Sequence, residues 1–196
     1  TATLQAGTHH TRYWLRDTPN ATTPIRTTGE VGLEIRPVFE RIAGDREWRH
    51  TISPVLRYDY VAAPDQASLP NFDSAFGQLT MSNFLSSNRF SGHDRIERVH
   101  RISLMFETGL QARMNETQAR DVATLRIGAA YDFIRQTVDA ALKPAPTRPF
   151  TNLLGELLLD PLPGLSLRAD GQYDPSGNFW PVIHAALKWH TRRGHR

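Results

Sequence analysis

A chain of 196 residues, 39% of them apolar, is long enough for one domain with a sizeable core or for one piece of a larger one. It has no cysteine, which excludes a disulfide scaffold, a thiolate zinc site and a cysteine nucleophile. The net charge of +3 is carried by two lysines, Lys143 and Lys188, and 21 arginines scattered along the chain, so no concentrated nucleic-acid patch exists; mean hydropathy is -0.45 and no stretch reaches the roughly 18 apolar residues of a membrane-spanning helix, which leaves a transmembrane β-barrel open.

In chain order, Thr1 to Leu15 has no basic start followed by an apolar core, so the sequence is expected to begin after a removed leader or inside a longer chain. Thr3 to Trp14 reads as a strand that is polar on both faces. Glu30 to Arg41 alternates, with Val31, Leu33, Ile35, Pro37 and Phe39 opposite Glu30, Gly32, Glu34, Arg36, Val38 and Glu40. The same split over Thr51 to Val61 sets Ile52, Pro54, Leu56, Tyr58 and Tyr60 against Ser53, Val55, Arg57 and Asp59. Over Arg101 to Gln111 it sets Ile102, Leu104, Phe106 and Leu110 against Arg101, Ser103, Met105 and Glu107. Ala123 to Phe133 follows, with Leu125, Ile127 and Tyr131 facing away from Arg126, Gly128 and Asp132. Thr151 to Leu159 has leucines on both faces. Leu165 to Tyr173 and Ile183 to His190 alternate again, with Arg168 and Asp170, then His184 and Lys188, on their polar sides. These are eight strands of about nine to thirteen residues, the length that crosses a bilayer at barrel tilt. Helical periodicity is confined to Phe76 to Leu85, where short helical turns are expected inside a loop.

The connections alternate long and short: 16–29 long, 42–48 short, 62–97 very long, 114–118 short, 136–149 long, 160–164 short and 174–178 medium. Short turns at one rim and long loops at the other mark outer-membrane barrels. Turn chemistry agrees at Asp160-Pro161-Leu162-Pro163-Gly164 and Asp174-Pro175-Ser176-Gly177. Aromatic residues sit near strand ends, at Tyr13, Trp14, Trp48, Tyr58, Tyr60, Tyr131, Phe133, Tyr173, Phe179, Trp180 and Trp189, as interfacial girdles would. A soluble β-sandwich alternates as well, but strand length, loop asymmetry and rim aromatics favour the barrel. Together these patterns predict an all-β, antiparallel transmembrane outer-membrane β-barrel segment with one long inward-folding loop.

That loop, 62–97, holds Leu69, Phe72, Phe76, Leu79, Met81, Phe84, Leu85 and Phe90, enough apolar surface to pack. An eight-stranded barrel is filled by its own side chains, so a folded loop inside calls for a wider barrel.

The runs RYDYVAAPDQASLPNFDS (Arg57 to Ser74) and NRFSGHDRI (Asn88 to Ile96) resemble the LPS-assembly protein family LptD, also called organic solvent tolerance proteins. FTNLLGELLLDPLPGLSLRADGQYDP (Phe150 to Pro175) resembles a downstream hairpin of the same barrel. Ala62-Ala63-Pro64 and Glu97-Arg98-Val99-His100 depart from the family pattern. The resemblance implies a very large barrel with an N-terminal periplasmic jellyroll, plugged by an LptE-like lipoprotein and fed with lipopolysaccharide by an LptA-like periplasmic bridge. It places this chain in the cell outer membrane of a Gram-negative organism, with residues 1–196 a partial barrel domain and the jellyroll, the seam strands and the family's disulfides lying elsewhere.

Such a conduit binds without reacting, so no catalytic residue and no cofactor are expected. The candidates for a lumen or lipopolysaccharide path are Glu34, Arg36, Arg57, Asp59, Arg101, Glu107, Arg126 and Arg168, with Asp132 and Asp170 on the same face. Opposite charges across strands also satisfy one another without any ligand. Asp73, Asn88, Arg89 and Asp94 are candidates for holding the loop against the inner wall through charge-assisted hydrogen bonds. The eight histidines show no metal-ligand spacing, Ser103 and His184 lack a nucleophile elbow, and Asn20-Ala21-Thr22 and Asn115-Glu116-Thr117 read as loop residues. A passive porin-like barrel is the alternative function.

Overall fold

Alternation produces the expected two-faced strands, and the chain arranges them as one antiparallel sheet. The computed structural model describes residues 1–15, 23–44, 47–115, 118–134 and 149–190; the Asn20-Ala21-Thr22 motif, residues 116–117 and most of the 136–149 connection lie outside them. The strands are β1 (Ala2–Arg12), β2 (Ile25–Ile35), β3 (Phe39–Ala43), β4 (Trp48–Val61), β5 (Val99–Arg113), β6 (Ala119–Asp132), β7 (Leu153–Leu162), β8 (Leu165–Asp174) and β9 (Phe179–Trp189). Their order in space is β1-β2-β4-β5-β6-β7-β8-β9, with β3 also paired to β4. β1 and β9 do not pair with each other, so the sheet is open at both sides.

The described residues form nine strands where eight were expected, because the run 30–41 is two. Ile35 lies opposite Leu56 and Phe39 opposite Ile52, so both pieces keep one register on β4. Between them Pro37 has no N–H to donate and the ladder lapses. The Ser53 hydroxyl donates to the Pro37 carbonyl at 3.1 Å and bridges the gap. Around Phe76 to Leu85 no helix forms; Asn83 and Ser86 close single turns onto the carbonyls of Thr80 and Asn83.

The ends of β1, β4, β6 and β8 lie at one rim, and the ends of β3, β5 and β7 at the other, where the Glu47 N–H donates to the Gly44 carbonyl at 2.8 Å and the Met114 N–H to the Gln118 carbonyl at 2.9 Å. From β4 to β9 the middle outward rows are apolar. Pro54, Phe106, Ile127, Gly155, Gly171 and Ile183 are consecutive neighbours in register, and Leu56, Leu104 and Ala129 form the adjoining row. Leu104 is 59% exposed and Ile183 64%, with no layer over them among the described residues.

Aromatic groups edge this surface at the long-loop rim. His100 stacks on Phe133 at 4.6 Å between centroids and meets Tyr58 and Tyr60 edge-on. Tyr131 meets Phe133 and Phe150, and Tyr173 meets Trp180. Trp48 and Trp189 lie near the other rim. From His100 to Ala112, the partner of Trp48, the strand runs about 41 Å, or roughly 29 Å along the normal at 45° tilt, the thickness of a hydrocarbon core. Tyr13 is a correction: it is only 6% exposed and its hydroxyl donates to the Asp94 carbonyl at 3.1 Å, on the loop side rather than in a girdle.

The core lies between the inner face of the sheet and the loop 62–98. Val55, Met105, Ala130 and Leu154 surround Phe84, with Leu79, Met81 and Leu85 against them. Gly128 makes this possible, since a Cβ there would stand 2.6 Å from Cε1 of Phe84. A second cluster of Val61, Ile96 and Val99 seals the loop where it leaves and rejoins the sheet.

Candidate functional site

The inner face begins as a backbone problem: 37 residues outside the strands, with one short bridge at Phe76 and Phe90, must satisfy their polar groups, and short polar side chains do most of it. The Asp94 carboxylate accepts from the Asp73 N–H at 2.9 Å and from the Phe72 N–H. Asp73 reciprocates, accepting from the N–H groups of His93 (2.9 Å) and Asp94 (3.1 Å). The His93 N–H, the Asp94 N–H and the Ser74 hydroxyl hold the Asp73 carboxyl below the usual carboxylate range, against a smaller opposing effect of desolvation. Oδ1 of Asn88 accepts from the Phe90 and Glu97 N–H groups, both at 3.1 Å. Arg89 donates through Nε and Nη2 to Glu97, whose side chain is 1% exposed. Asp73 and Asp94 therefore tie the two arms of the loop to one another, and Asn88 and Arg89 brace the second arm onto Glu97 where it returns to the sheet.

Contact with the wall comes from other residues. Arg26 on β2, 2% exposed, donates to the carbonyls of His93 (2.7 Å) and Asp94 and to Gln66 (3.0 Å). Arg101 on β5 donates to the Ser86 carbonyl at 2.6 Å, and Gln172 on β8 to the Leu79 carbonyl at 2.6 Å. Arg26, Gln66, Glu97, Phe84 and Gln172 are the functional positions that sequence reasoning passed over. The available signals were a charge inside the apolar-flanked start of β2, and a glycine, Gly128, on the face of β6 that must admit a loop.

Either side of the Phe84 slot, the wall is charged. Toward β1, Arg57 meets Asp59 (2.8 Å) and Glu34 (3.2 Å), and Arg36 meets Glu34 (3.1 Å). Toward β9, Glu107, Arg126, Glu156, Asp170 and His184 are consecutive partners in register on five strands. Arg126 meets Glu107 at 2.9 Å and Glu156 at 3.0 Å; Arg168 meets the other oxygen of Glu156 at 2.9 Å and Asp170 at 3.4 Å; His184 Nδ1 lies 3.1 Å from Asp170. Arg168 stands between the neighbouring carboxylates of Glu156 and Asp170, so carboxylates and guanidinium groups alternate along the ion-paired chain from Glu107 to Asp170, and His184 ends it. Partly exposed pairs of this kind contribute only about 0.2–1 kcal/mol each, so what the line determines is the surface potential more than stability.

The loop divides the path candidates into covered and open groups. Asp59 and Arg101 are 1% and 2% exposed and lie beneath it, with Asp132 opposite Arg101 in register. Glu34, Arg36, Glu107, Arg126, Arg168 and Asp170 stay accessible on the inner face, Arg168 most of all with 58% of its side chain exposed. Ser103 is fully buried on β5 and its hydroxyl has no hydrogen-bond partner among the described residues, whereas His184 is on β9, four strand spacings or about 19 Å across the sheet. That pair is not brought together for nucleophilic chemistry. His9 and His10 point to opposite faces, toward Glu30 and Thr27 respectively.

An open sheet with an apolar outer face, a charged inner face and a folded loop on the inside is what comparison with known proteins has to explain. The family model described as "LptD: LPS transport system D" matches residues 1–195. The chain belongs to the LptD family. Among its relatives, the LPS-assembly protein LptD of Nitrosospira multiformis is 31% identical over 140 residues, 69% of this chain and 15% of that protein. The LPS-assembly protein LptD of Alcanivorax borkumensis is 31% identical over 183 residues, 89% of this chain and 23% of that protein, and that of Nitrosococcus oceani is 35% identical over 112 residues. The chain therefore matches less than a quarter of the length of these LptD relatives. Membership of this family agrees with the antiparallel sheet and with the resemblance carried by the loop and the β7–β8 hairpin.

Proposed function

We propose that this LptD chain forms one wall of a wide outer-membrane barrel that assembles lipopolysaccharide into the outer leaflet of a Gram-negative outer membrane, with no chemical step. The outer rows would face lipid, the long-loop rim the exterior and the tight-turn rim the periplasm. The accessible line from Glu107 to His184, extended by Arg168, supports this most directly. It offers guanidinium groups, suited to bidentate contact with phosphate, on a hydrated face that the loop leaves open. Asp59 and Arg101 would serve the loop rather than the ligand, and Asp73, Asn88, Arg89 and Asp94 would keep it folded. The remaining strands, a periplasmic jellyroll, an LptE-like lipoprotein plug and an LptA-like bridge belong to the whole protein in this proposal.

A second reading has a specific observation behind it, since a loop folded against the inner wall also narrows a passive pore. The two separate in the full-length protein. Co-purification with a lipoprotein, together with crosslinking of lipopolysaccharide to a photoprobe at Arg168, is expected for the assembly role. Ion conductance with neither would establish the passive pore instead.

A further inference from the structure

The loop is held unevenly along its length. Its second arm, 88–98, is fixed to the wall and to the strand it rejoins. Arg26 holds the carbonyls of His93 and Asp94, the Ile96 N–H donates to Gln66 at 3.0 Å, and the Glu97 N–H donates to Asn88 at 3.1 Å. Ile96 also packs with Val61 and Val99, where β4 ends and β5 begins. The first arm is fixed as far as Ser74, whose hydroxyl oxygen accepts from the N–H groups of Asp94 (2.9 Å) and Arg95 (3.0 Å).

Between these fixed points, residues 75–87 form a unit of their own. Asn83 closes it. Its side-chain oxygen accepts from the Thr80 N–H and its side-chain nitrogen donates to the Gln78 carbonyl, both at 2.8 Å, while its backbone makes the turns to Thr80 and Ser86. The unit meets the second arm edge to edge, through backbone bonds of 3.0 Å from Gly77 to Arg89 and from Ser91 to Ala75, and through the rings of Phe76 and Phe90, 4.9 Å apart. It meets the wall through the Phe84 ring beside Gly128 and through the carbonyls of Leu79 and Ser86, which accept from Gln172 and Arg101. The Ser87 hydroxyl reaches Glu30 at 3.5 Å.

Closure of this unit leaves donors unmet. Ser103 lies between Arg101 and Met105 on the inner face of β5, and so between the Ser86 and Phe84 contacts. Its hydroxyl and Nε of Arg101 are buried with no partner among the described residues. Both are costs of the closed state that hydration removes when the unit lifts. Along β5 the inner face runs Glu107, Met105, Ser103, Arg101 toward the long-loop rim. The accessible charged line stands at Glu107, and the unit covers the stretch from there to the rim.

We infer that residues 75–87 are a flap that gates this path. It lifts off the wall as one piece, turning at Ser74 and Asn88 while the rest of the loop stays in place, and opens the way from the charged line to the long-loop rim for a hydrated, anionic saccharide. This rests on the reading of the inner wall as a lipopolysaccharide path and adds its moving part.

The test is amide hydrogen exchange on the full-length protein in vesicles, with and without added lipopolysaccharide. The N–H groups of Gly77 and Ser91 report the flap, and those of Ile96 and Glu97 report the fixed arm. Gly77 and Ser91 are expected to exchange at a common rate, about tenfold faster than Ile96 and Glu97. Gln172→Leu, which removes the donor to Leu79 without changing charge, should speed the first pair by about another tenfold and leave the second unchanged. One rate for all four amides would show the loop opening as a single body and overturn the flap while leaving the charged path intact, and that comparison needs only the unsubstituted protein. Lipopolysaccharide is expected to speed Gly77 and Ser91 several-fold, because cargo in the path selects the raised flap. If lipopolysaccharide crosslinks to a photoprobe at Arg168 yet leaves these two rates unchanged or slower, the flap is not a gate. If it does not crosslink there, the path fails and the gate with it.

Discussion

Gly128→Ala is the smallest change that should release the loop without touching a charge. The added Cβ would lie 2.6 Å from Cε1 of Phe84 and 3.1 Å from Cδ1 and Cζ. Carbon atoms rest at about 3.5–4.0 Å, so the ring must retreat by roughly 1 Å. Val55, Met105, Ala130 and Leu154 close the slot around it, and the ring can leave only by lifting off the wall with its segment of loop. Overpacking of this size costs about 1–3 kcal/mol, below the roughly 3–5 kcal/mol of removing a buried phenylalanine outright. Amide hydrogen exchange on the full-length protein reads it locally. The N–H groups of Gly77 and Ser91, which pair the two arms of the loop, should exchange about 5- to 140-fold faster, while those of β8 keep their rates. In a Phe84→Ala background the same substitution should add almost nothing, because the clash is gone. Unchanged loop exchange in Gly128→Ala, or equal loosening of loop and sheet, would refute the packing described for Phe84.

Leu104→Arg should destabilise the folded barrel by about 2–4 kcal/mol if Leu104 lies near the bilayer midplane, measured by urea unfolding in vesicles; no loss would contradict the face assigned to it. Arg89→Met leaves the Glu97 carboxylate buried without its guanidinium, and should cost roughly 3–5 kcal/mol of loop stability by hydrogen exchange. Adding Glu97→Leu should restore most of that, and failure to do so would show that the pair is worth more than its apolar replacement. The lowered pKa of Asp73 means that the folded loop binds its proton less readily than the unfolded chain. Its contribution is thus fully present above about pH 4 and is lost as pH falls through the lowered value. Loop exchange in the unsubstituted protein should therefore accelerate at acid pH, and Asp73→Asn should remove that dependence.

Which face each strand shows was legible because alternation has only two outcomes: Leu33, Leu56, Leu104 and Ile127 all face outward as the period requires. The inward course of the loop was legible from its apolar content against the filling limit of a small barrel. The break at Pro37 was visible as a residue type but not as a boundary, since alternation runs on through it and only the missing N–H ends the ladder. Tyr13 was misplaced because strand-end aromatics were assigned to the rim without asking which face they occupied. The line Glu107–Arg126–Glu156–Asp170–His184 could not be read at all. Alternation gives each residue a face, but the partner across the strand depends on register, which turns and bulges fix. For the same reason Arg26 escaped notice, since its partners are loop carbonyls 67 and 68 residues away.

In the proposed function the two faces of this wall have different environments, the inner one a path for lipopolysaccharide. Photoprobes placed singly at Leu157, Leu158, Leu167 and Arg168 in the full-length protein test it in one experiment, because these four are neighbours on β7 and β8 with alternate facing. Lipopolysaccharide should crosslink at Leu158 and Arg168 and not at Leu157 and Leu167, which should label membrane phospholipid. Equal lipopolysaccharide labelling at all four positions, or none at Leu158 and Arg168, would contradict a charged inner path.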